Sequence, residues 1–183
     1  MNERSKSPRP GSLPDVEDAG TNLPARERDG HRVLDLEGYI PFLISAIGNK
    51  WSRSSSGLYL REFGVGVTEW RIIAMLAIEP RITAYRVCQV IGLDKAAASR
   101  ALKALEQRDL VRSWQEDPHN HRKLVELTAA GWDMHDRIIV VARRREALML
   151  SDLSHDEVVT LAALLGRVHR RIPDLLAIEP GDL

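Results

Sequence analysis

The chain has 183 residues with 26 basic and 26 acidic side chains, so its length fits one compact domain with a tail and its formal net charge is zero. That balance excludes a polycation that would bind nucleic acid through its total charge, although a local cluster of charge can still do so. A single cysteine excludes an intrachain disulfide, and no apolar run approaches the roughly 20 residues that cross a bilayer, so we expect a cytoplasmic protein.

Residues 1–32 are expected to form a disordered tail. The first 30 residues contain four of the nine prolines, no aromatic residue and charges of both signs. Such a segment cannot bury enough apolar surface to offset the entropy of ordering it. A first helix follows, because apolar residues recur at helical spacing until the glycine-rich break at 64–66: Leu36, Ile40, Leu43, Ile47 and Trp51.

Two short helices are predicted next. Thr68 is expected to cap a helix over 69–76, and Thr83 a helix over 84–91 that Gly92 closes. A third helix begins soon after this glycine, with Asp94 as its N-cap. Short helix, glycine turn and helix, in this order, predict a helix-turn-helix.

The helix after Asp94 has one apolar and one cationic side. The apolar side is formed by Ala98, Ala101, Leu102 and Leu105, and the polar side by Lys95, Ser99, Arg100 and Lys103. Between residues 95 and 112 there are five basic and two acidic residues, a local charge of +3. A cationic helix of this kind fits the major groove of DNA.

A β-hairpin follows this helix. Residues 110–114 and 123–127 alternate like strands, and the polar tip between them, 116–122, contains Pro118. A hairpin directly after a helix-turn-helix predicts a wing, which can reach phosphates or the neighbouring minor groove.

The remaining chain is expected to form two long helices. Thr128 opens the first, which runs to about residue 150, and Ser154 with Glu157 fits a capping box at the start of the second. The second carries apolar residues at alternating spacings of three and four: Val158, Leu161, Leu165, Val168, Ile172 and Leu175. This pattern suits lengthwise packing against other helices.

The predicted fold is therefore mainly α with a small β-hairpin wing. It is a winged helix-turn-helix over 67–128, flanked by a first dimerisation helix over 33–66 and by C-terminal dimerisation helices over 129–183. The flanking helices carry more apolar surface than a winged motif needs, which favours a homodimer.

This order of elements resembles the MarR family of winged helix-turn-helix transcriptional regulators. Three phrases carry the resemblance, over roughly residues 36–176: the helix at 68–76, the segment at 93–106, and 109–111 continuing through the wing to 127–131. The resemblance implies a homodimer on a pseudo-palindromic operator, most often a repressor that a small anionic or aromatic effector releases. The sequence contains no glycine-rich phosphate loop, no Gly-x-Ser-x-Gly elbow and no paired-carboxylate or metal-spaced motif, so neither enzymatic activity nor a cofactor is expected.

Two departures from the family pattern concern the DNA contacts. Family wings carry an Asp-x-Arg phrase, whereas here Asp117 and Pro118 precede His119, and Arg122 is the clear wing arginine. The recognition helix has three alanines, 96–98, where relatives often place a hydroxyl residue. Direct base contacts are therefore expected to be fewer.

The residues expected to contact DNA lie on the recognition helix and the wing: Lys95, Ala97, Ser99, Arg100, Lys103, His119, His121 and Arg122. In isolation a cationic helix face is more often only solvated, and a polar wing tip only flexible. Lys95 and Lys103 are expected on phosphates and Arg100 on guanine. His119 and His121 have no further metal ligand nearby in sequence, so no metal site is expected.

A possible effector site involves Trp51, Ser55, Trp70 and Arg71, which combine aromatic surface, hydroxyls and a guanidinium. Aromatic residues at helical spacing are more often part of a core. Cys88 raises the alternative of a redox-responsive regulator, but its place on a short helix favours a buried, inert thiol. The other alternative is a winged helix that binds an acidic protein instead of DNA.

Overall fold

The computed structural model describes residues 25–115 and 123–178. Its elements, in chain order, are β1 (Ala25–Arg28), β2 (His31–Leu34), α1 (Ile40–Phe63), α2 (Val67–Ile78), β3 (Ile82–Thr83), α3 (Ala84–Ile91), α4 (Lys95–Gln107), β4 (Val111–Gln115), β5 (Lys123–Leu127), α5 (Ala129–Met149) and α6 (His155–Leu176). The chain divides into two compact units, one of Ile44–Leu148 and the other of Met1–Leu43 with Met149–Leu183. The mainly helical fold with a small β-hairpin is the one that the sequence predicts.

The helix-turn-helix lies in the unit Ile44–Leu148. The Thr83 side chain accepts the Arg86 N–H at 3.2 Å at the start of α3, and Gly92 ends that helix with a positive φ of 71°. Asp94 caps α4, since its carboxylate accepts the Ala97 N–H at 2.8 Å. These three predicted ends of helices are confirmed, because each depends on a side chain or glycine only a few residues away.

The start of α2 differs from the prediction. Gly66, not Thr68, precedes this helix, which begins at Val67. The Glu69 carboxylate accepts the Gly66 N–H at 2.7 Å and thereby satisfies an amide ahead of the first turn. Thr68 consequently lies inside the helix, and its assignment as the N-cap is wrong.

The wing strands belong to a three-stranded antiparallel sheet with the order β3-β5-β4. The pairing sets Val111 opposite Leu127 and Ser113 opposite Val125, and β3 joins through Ile82 opposite Val125. Strand β3 was not predicted from the sequence, because two residues are too few to show an alternating pattern. The predicted tip of the wing, 116–122, lies outside the described residues.

The core of this unit joins α1, α2, α4, α5 and the sheet. Tyr59, Ile72, Leu105 and Ile138 are almost fully inaccessible and come from four different helices. The predicted apolar side of α4 is confirmed, since all four of its residues are buried: Ala98, Ala101, Leu102 and Leu105. The core therefore fixes which side of α4 remains exposed.

The first turn of α5 packs tightly against the segment that follows α4. A Cβ placed on Gly131 would lie only 2.0 Å from the carbonyl oxygen of Leu110. In the same joint, the Thr128 N–H donates to Leu110 O at 3.1 Å, and the Thr128 hydroxyl accepts the Gly131 N–H at 3.0 Å. Glycine at position 131 is thus required by close backbone approach.

The other unit contains β1, β2 and α6. The two strands form a hairpin whose turn residues, Asp29 and Gly30, have φ values of 54° and 77°. Aspartate followed by glycine favours this left-handed two-residue turn and so indicates a hairpin. The charged, proline-rich composition of the segment led instead to a prediction of disorder. The described part of the predicted disordered tail therefore differs from that expectation, and residues 1–24 lie outside the described residues.

Helix α6 begins with the predicted capping box. The Ser154 N–H donates to the Glu157 carboxylate at 2.8 Å, and the Ser154 hydroxyl accepts the Glu157 N–H at 3.4 Å. No residue of α6 is buried, and its apolar residues are exposed at 38% or more from Leu161 through Leu175. In the described part of the chain, no helix has the length and apolarity needed to cross a membrane.

Candidate nucleic-acid interface

The exposed side of α4 carries the cationic residues that the sequence singles out. Lys95, Ser99, Arg100 and Lys103 are all exposed, whereas Ala97 is half-buried and its N–H is bonded to Asp94. The three cations lie at positions one, six and nine of the helix. They therefore form a charged strip along the side that faces away from the core.

Two other basic residues of the local cluster serve different contacts. Arg108 donates to the carbonyl oxygens of Gly64 at 2.6 Å and Phe63 at 3.2 Å, which satisfies the end of α1. Arg112 pairs with Glu126 across the strands β4 and β5. The local charge of +3 counted from sequence thus includes Arg108 and Arg112, whose side chains are already bound within the protein.

The side chains of Lys95, Arg100 and Lys103 form neither an ion pair nor a hydrogen bond with any residue that the structure describes. A cation without an acidic neighbour keeps its full attraction for an external anion, whereas a paired one loses part of it. The strip on α4 is therefore the part of this surface best suited to bind an external anion.

The base of the wing is held by Glu126. Its carboxylate accepts hydrogen bonds from Arg112 and, at 3.2 Å, from Arg81. The hydrogen bond from Arg112 is the main reason that the pKa of Glu126 lies below its usual value. The Arg112 guanidinium also lies 5.8 Å from the ring centre of Trp114. These contacts link the two wing strands, while His119, His121 and Arg122 lie outside the described residues.

A second polar cluster joins α1 and α5 in the same unit. Arg145 donates to the hydroxyls of Ser54 at 2.8 Å and Ser55 at 3.3 Å, and its guanidinium lies 5.0 Å from the Trp51 ring centre and 6.0 Å from that of Tyr59. Ser55 is fully buried. The Nε atom of Arg145 is buried and has no hydrogen-bond partner among the described residues.

The four residues of the expected effector site do not all meet. Trp51 and Ser55 lie together on Arg145, but Arg71 donates to the Ser52 hydroxyl at 3.0 Å. Trp70 is separated from Arg145 by the Tyr59 ring, since the centre of the Trp70 ring lies 6.2 Å from that of Tyr59 and 5.7 Å from that of His135. Tyr59 connects the two groups, and burial raises its pKa.

Arg145 lies at the centre of this cluster but was not predicted from the sequence. Its partners lie about 90 residues away on α1, so no local spacing signals the contact. The contact forms only when α1 and α5 pack against each other, and that packing cannot be read from local sequence.

Cys88 is half-buried on α3, whereas its neighbour Val87 is fully buried. The expectation of a buried thiol is therefore wrong, because the helix turns Val87 and not Cys88 into the core. Among the described residues, no group of three or more histidine, cysteine, aspartate or glutamate side chains could hold a metal ion.

A family model described as MarR family matches residues 63–123, which span α2, α3, α4 and β4. The segment from residue 63 to residue 123 is therefore similar to the MarR family. A crystal structure of a MarR/EmrR family transcriptional regulator from Acinetobacter sp. ADP1 is similar, with 27% identity and a TM-score of 0.71 over 76% of this chain and 99% of the other.

Two further solved structures share the fold. The PcaV transcriptional regulator from Streptomyces coelicolor, solved with its natural ligand, has 22% identity and a TM-score of 0.63, over 75% of this chain and 96% of the other. The MepR–DNA complex from S. aureus has 18% identity and a TM-score of 0.63, over 74% and 98%. No curated protein matches the chain in sequence. The proteins from Acinetobacter and Streptomyces coelicolor are both described as transcriptional regulators.

Proposed function

We propose that this chain is a transcription regulator that binds double-stranded DNA through α4 in the major groove. The observation that carries the proposal is the exposed strip of Lys95, Arg100 and Lys103, which has no acidic partner in the part of the chain that the structure describes. The MarR-like fold supports it, since MepR was solved in complex with DNA.

The strip divides into two kinds of contact. Lys95, at the first position of α4, and Lys103, two turns later, bind phosphates and contribute affinity without sequence preference. Arg100 lies between them and donates to the O6 and N7 atoms of guanine, with Ser99 and Ala97 beside it against base edges. His119, His121 and Arg122 extend the interface to the neighbouring minor groove.

We infer that the active species is a homodimer. Helix α6 has no buried residue, and the start of α1 carries further exposed apolar side chains such as Ile40 and Ile47. Burial of such a surface in a second copy is favourable by about 25 cal/mol for each Å² removed from water. Two copies would set their recognition helices about 34–36 Å apart on a pseudo-palindromic operator.

DNA binding is tested with a fragment from the promoter of the chain's own gene. Affinity is measured at several salt concentrations by fluorescence anisotropy, and the mass of the complex by analytical ultracentrifugation. A DNA-binding regulator gives a steep negative slope of log affinity against log salt, with two protomers for each operator. A monomeric complex would refute the dimer, and no binding at low salt would favour the alternative of a protein-interaction module.

The effector is proposed to be a small anion, often aromatic, that binds at Trp51, Ser55 and Arg145 and releases the DNA, as expected of a repressor. The buried, unpaired Nε of Arg145 leaves one donor for a carboxylate or phenolate, and the Trp51 ring offers aromatic surface. Trp70 and Arg71 would act at the margin of this site, through Tyr59 and Ser52.

A panel of aromatic carboxylates and phenols, each beside its neutral amide or ether, tests this site. An active anion should raise the melting temperature and release DNA, and Arg145→Gln should abolish both effects. Arg144→Gln is the matched control, because Arg144 is exposed on the same helix. Equal responses to neutral analogues, or an unchanged response in Arg145→Gln, would contradict the proposed anion site.

A further inference from the structure

Tyr85 is an aromatic residue that the core does not use. Its exposed fraction is 71%, although it lies on α3, whose neighbouring residue Val87 is fully buried. A tyrosine left in water contributes little to the stability of the fold. Its side chain on the first turn of α3 is therefore available to an external partner.

The hydroxyl of Tyr85 is held by a neighbour on the same helix. The Gln89 Nε2 atom donates to the Tyr85 Oη atom at 3.1 Å, one helical turn away. Because the hydroxyl oxygen acts as the acceptor in this bond, its own hydrogen is free to be donated outward. Gln89 thus orients a neutral donor on the surface of α3.

The neighbouring cation on α3 is already engaged. Arg86 donates to both carboxylate oxygens of Glu79, at 2.9 and 2.8 Å. This bidentate pair fixes the guanidinium against the end of α2 and makes it a poor partner for a phosphate. Tyr85 and Gln89 are the polar side chains of α3 that remain available.

In a helix-turn-helix the second helix enters the major groove while the first crosses the DNA backbone. Here α4 is the second helix and α3 the first, and Tyr85 is the second residue of α3. We propose that Tyr85, oriented by Gln89, donates a hydrogen bond to a backbone phosphate at the edge of the groove that α4 enters. The inference rests on the proposed DNA-binding function and names a neutral contact that positions α3 on the duplex.

A neutral phosphate contact has a signature that a lysine contact does not share. Removal of a hydroxyl weakens binding but leaves the salt dependence unchanged, because no condensed counterion is released by an uncharged donor. Tyr85→Phe should therefore lower affinity about tenfold for all DNA sequences, at every salt concentration. Tyr39→Phe, which removes the same group outside the winged helix, is the matched control and should bind as the wild type does.

A double-mutant cycle identifies the role of Gln89. Gln89→Ala should lower affinity in the wild type but have no further effect in Tyr85→Phe, because orientation matters only while the hydroxyl is present. Additive losses would show that Gln89 contacts DNA itself and would overturn its positioning role.

Replacement of single backbone phosphates by methylphosphonate locates the contact. Where Tyr85 donates, the neutral replacement should weaken wild-type binding more than that of Tyr85→Phe. If Tyr85→Phe binds like the wild type while Lys103→Ala flattens the salt dependence, the Tyr85 contact is refuted and the DNA-binding function stands. If the wild type shows no salt-dependent binding, both fail.

Discussion

The exposed strip on α4 predicts how strongly DNA binding depends on salt. Each protomer offers three cations without a described partner, Lys95, Arg100 and Lys103, so a dimer offers six. Neutralisation of one phosphate contributes about −0.9 to the slope of log affinity against log salt. Arg100 is assigned to guanine, so the four phosphate contacts of Lys95 and Lys103 in a dimer contribute about −3.6. Lys103→Ala removes two of these contacts from the dimer and should flatten the slope by about 1.8.

This change is large enough to measure by fluorescence anisotropy. Between about 50 and 200 mM salt, the affinity of the wild type should fall about tenfold more than that of Lys103→Ala. The loss should be alike for operator and unrelated sequences, because a phosphate contact reads no base.

Arg108→Gln is the control, since it removes a positive charge from the residue directly after α4. Arg108 satisfies the carbonyl oxygens of Phe63 and Gly64, so its loss should cost about 1 kcal/mol of folding free energy and a few degrees of melting temperature. The salt slope should stay at the wild-type value. An equal flattening of the slope in Arg108→Gln and Lys103→Ala would refute the distinction between engaged and free cations.

The remaining predictions concern a base contact, the core and the wing. Arg100→Ala should cost about 1–3 kcal/mol and relax preference at one base position in a binding-site selection, and unchanged selectivity would refute its guanine contact. In a urea titration, Gly131→Ala should lower the free energy of unfolding by about 1–3 kcal/mol or more, because the new Cβ would collide with the Leu110 carbonyl oxygen. Gly57→Ala is the control, because a Cβ at this position of α1 meets open space, and it should be neutral or slightly stabilising. Glu126 has a lowered pKa in the folded state, so its contribution to stability is present above about pH 4.5 and is lost as the pH falls through its folded pKa. Glu126→Gln should remove that part of the acid sensitivity of unfolding. An unchanged dependence of unfolding on pH in this variant would count against the proposed role of Glu126.

The helices of the winged motif could be predicted because their ends depend on neighbouring residues. Thr83, Gly92 and Asp94 act within four residues of the amides or carbonyls that they satisfy, or adopt the left-handed conformation themselves. The failure at Thr68 has the same origin, since two side chains compete for one helix end and Glu69 reaches the Gly66 amide. Spacing alone does not rank such competitors.

The positive charge of residues 95–112 could be counted from sequence, but the sequence did not show which of these cations bind other residues of the protein. Arg108 and Arg112 belong to the same basic run as Lys103, yet their partners on α1 and β5 lie far away in sequence. Arg145 shows the same limit at the proposed effector site, because Ser54 and Ser55 reach it only after α1 and α5 pack.

The sequence by itself determined the order of the helices, the buried side of α4 and the wing strands, since periodicity and caps are local properties of the chain. The tertiary structure decided which cations of α4 have no partner among the described residues, which glycine admits no side chain and which arginine packs against α1 with its Nε atom buried. Each of these features depends on a contact between residues tens of positions apart in the chain. A local sequence pattern carries no information about such contacts.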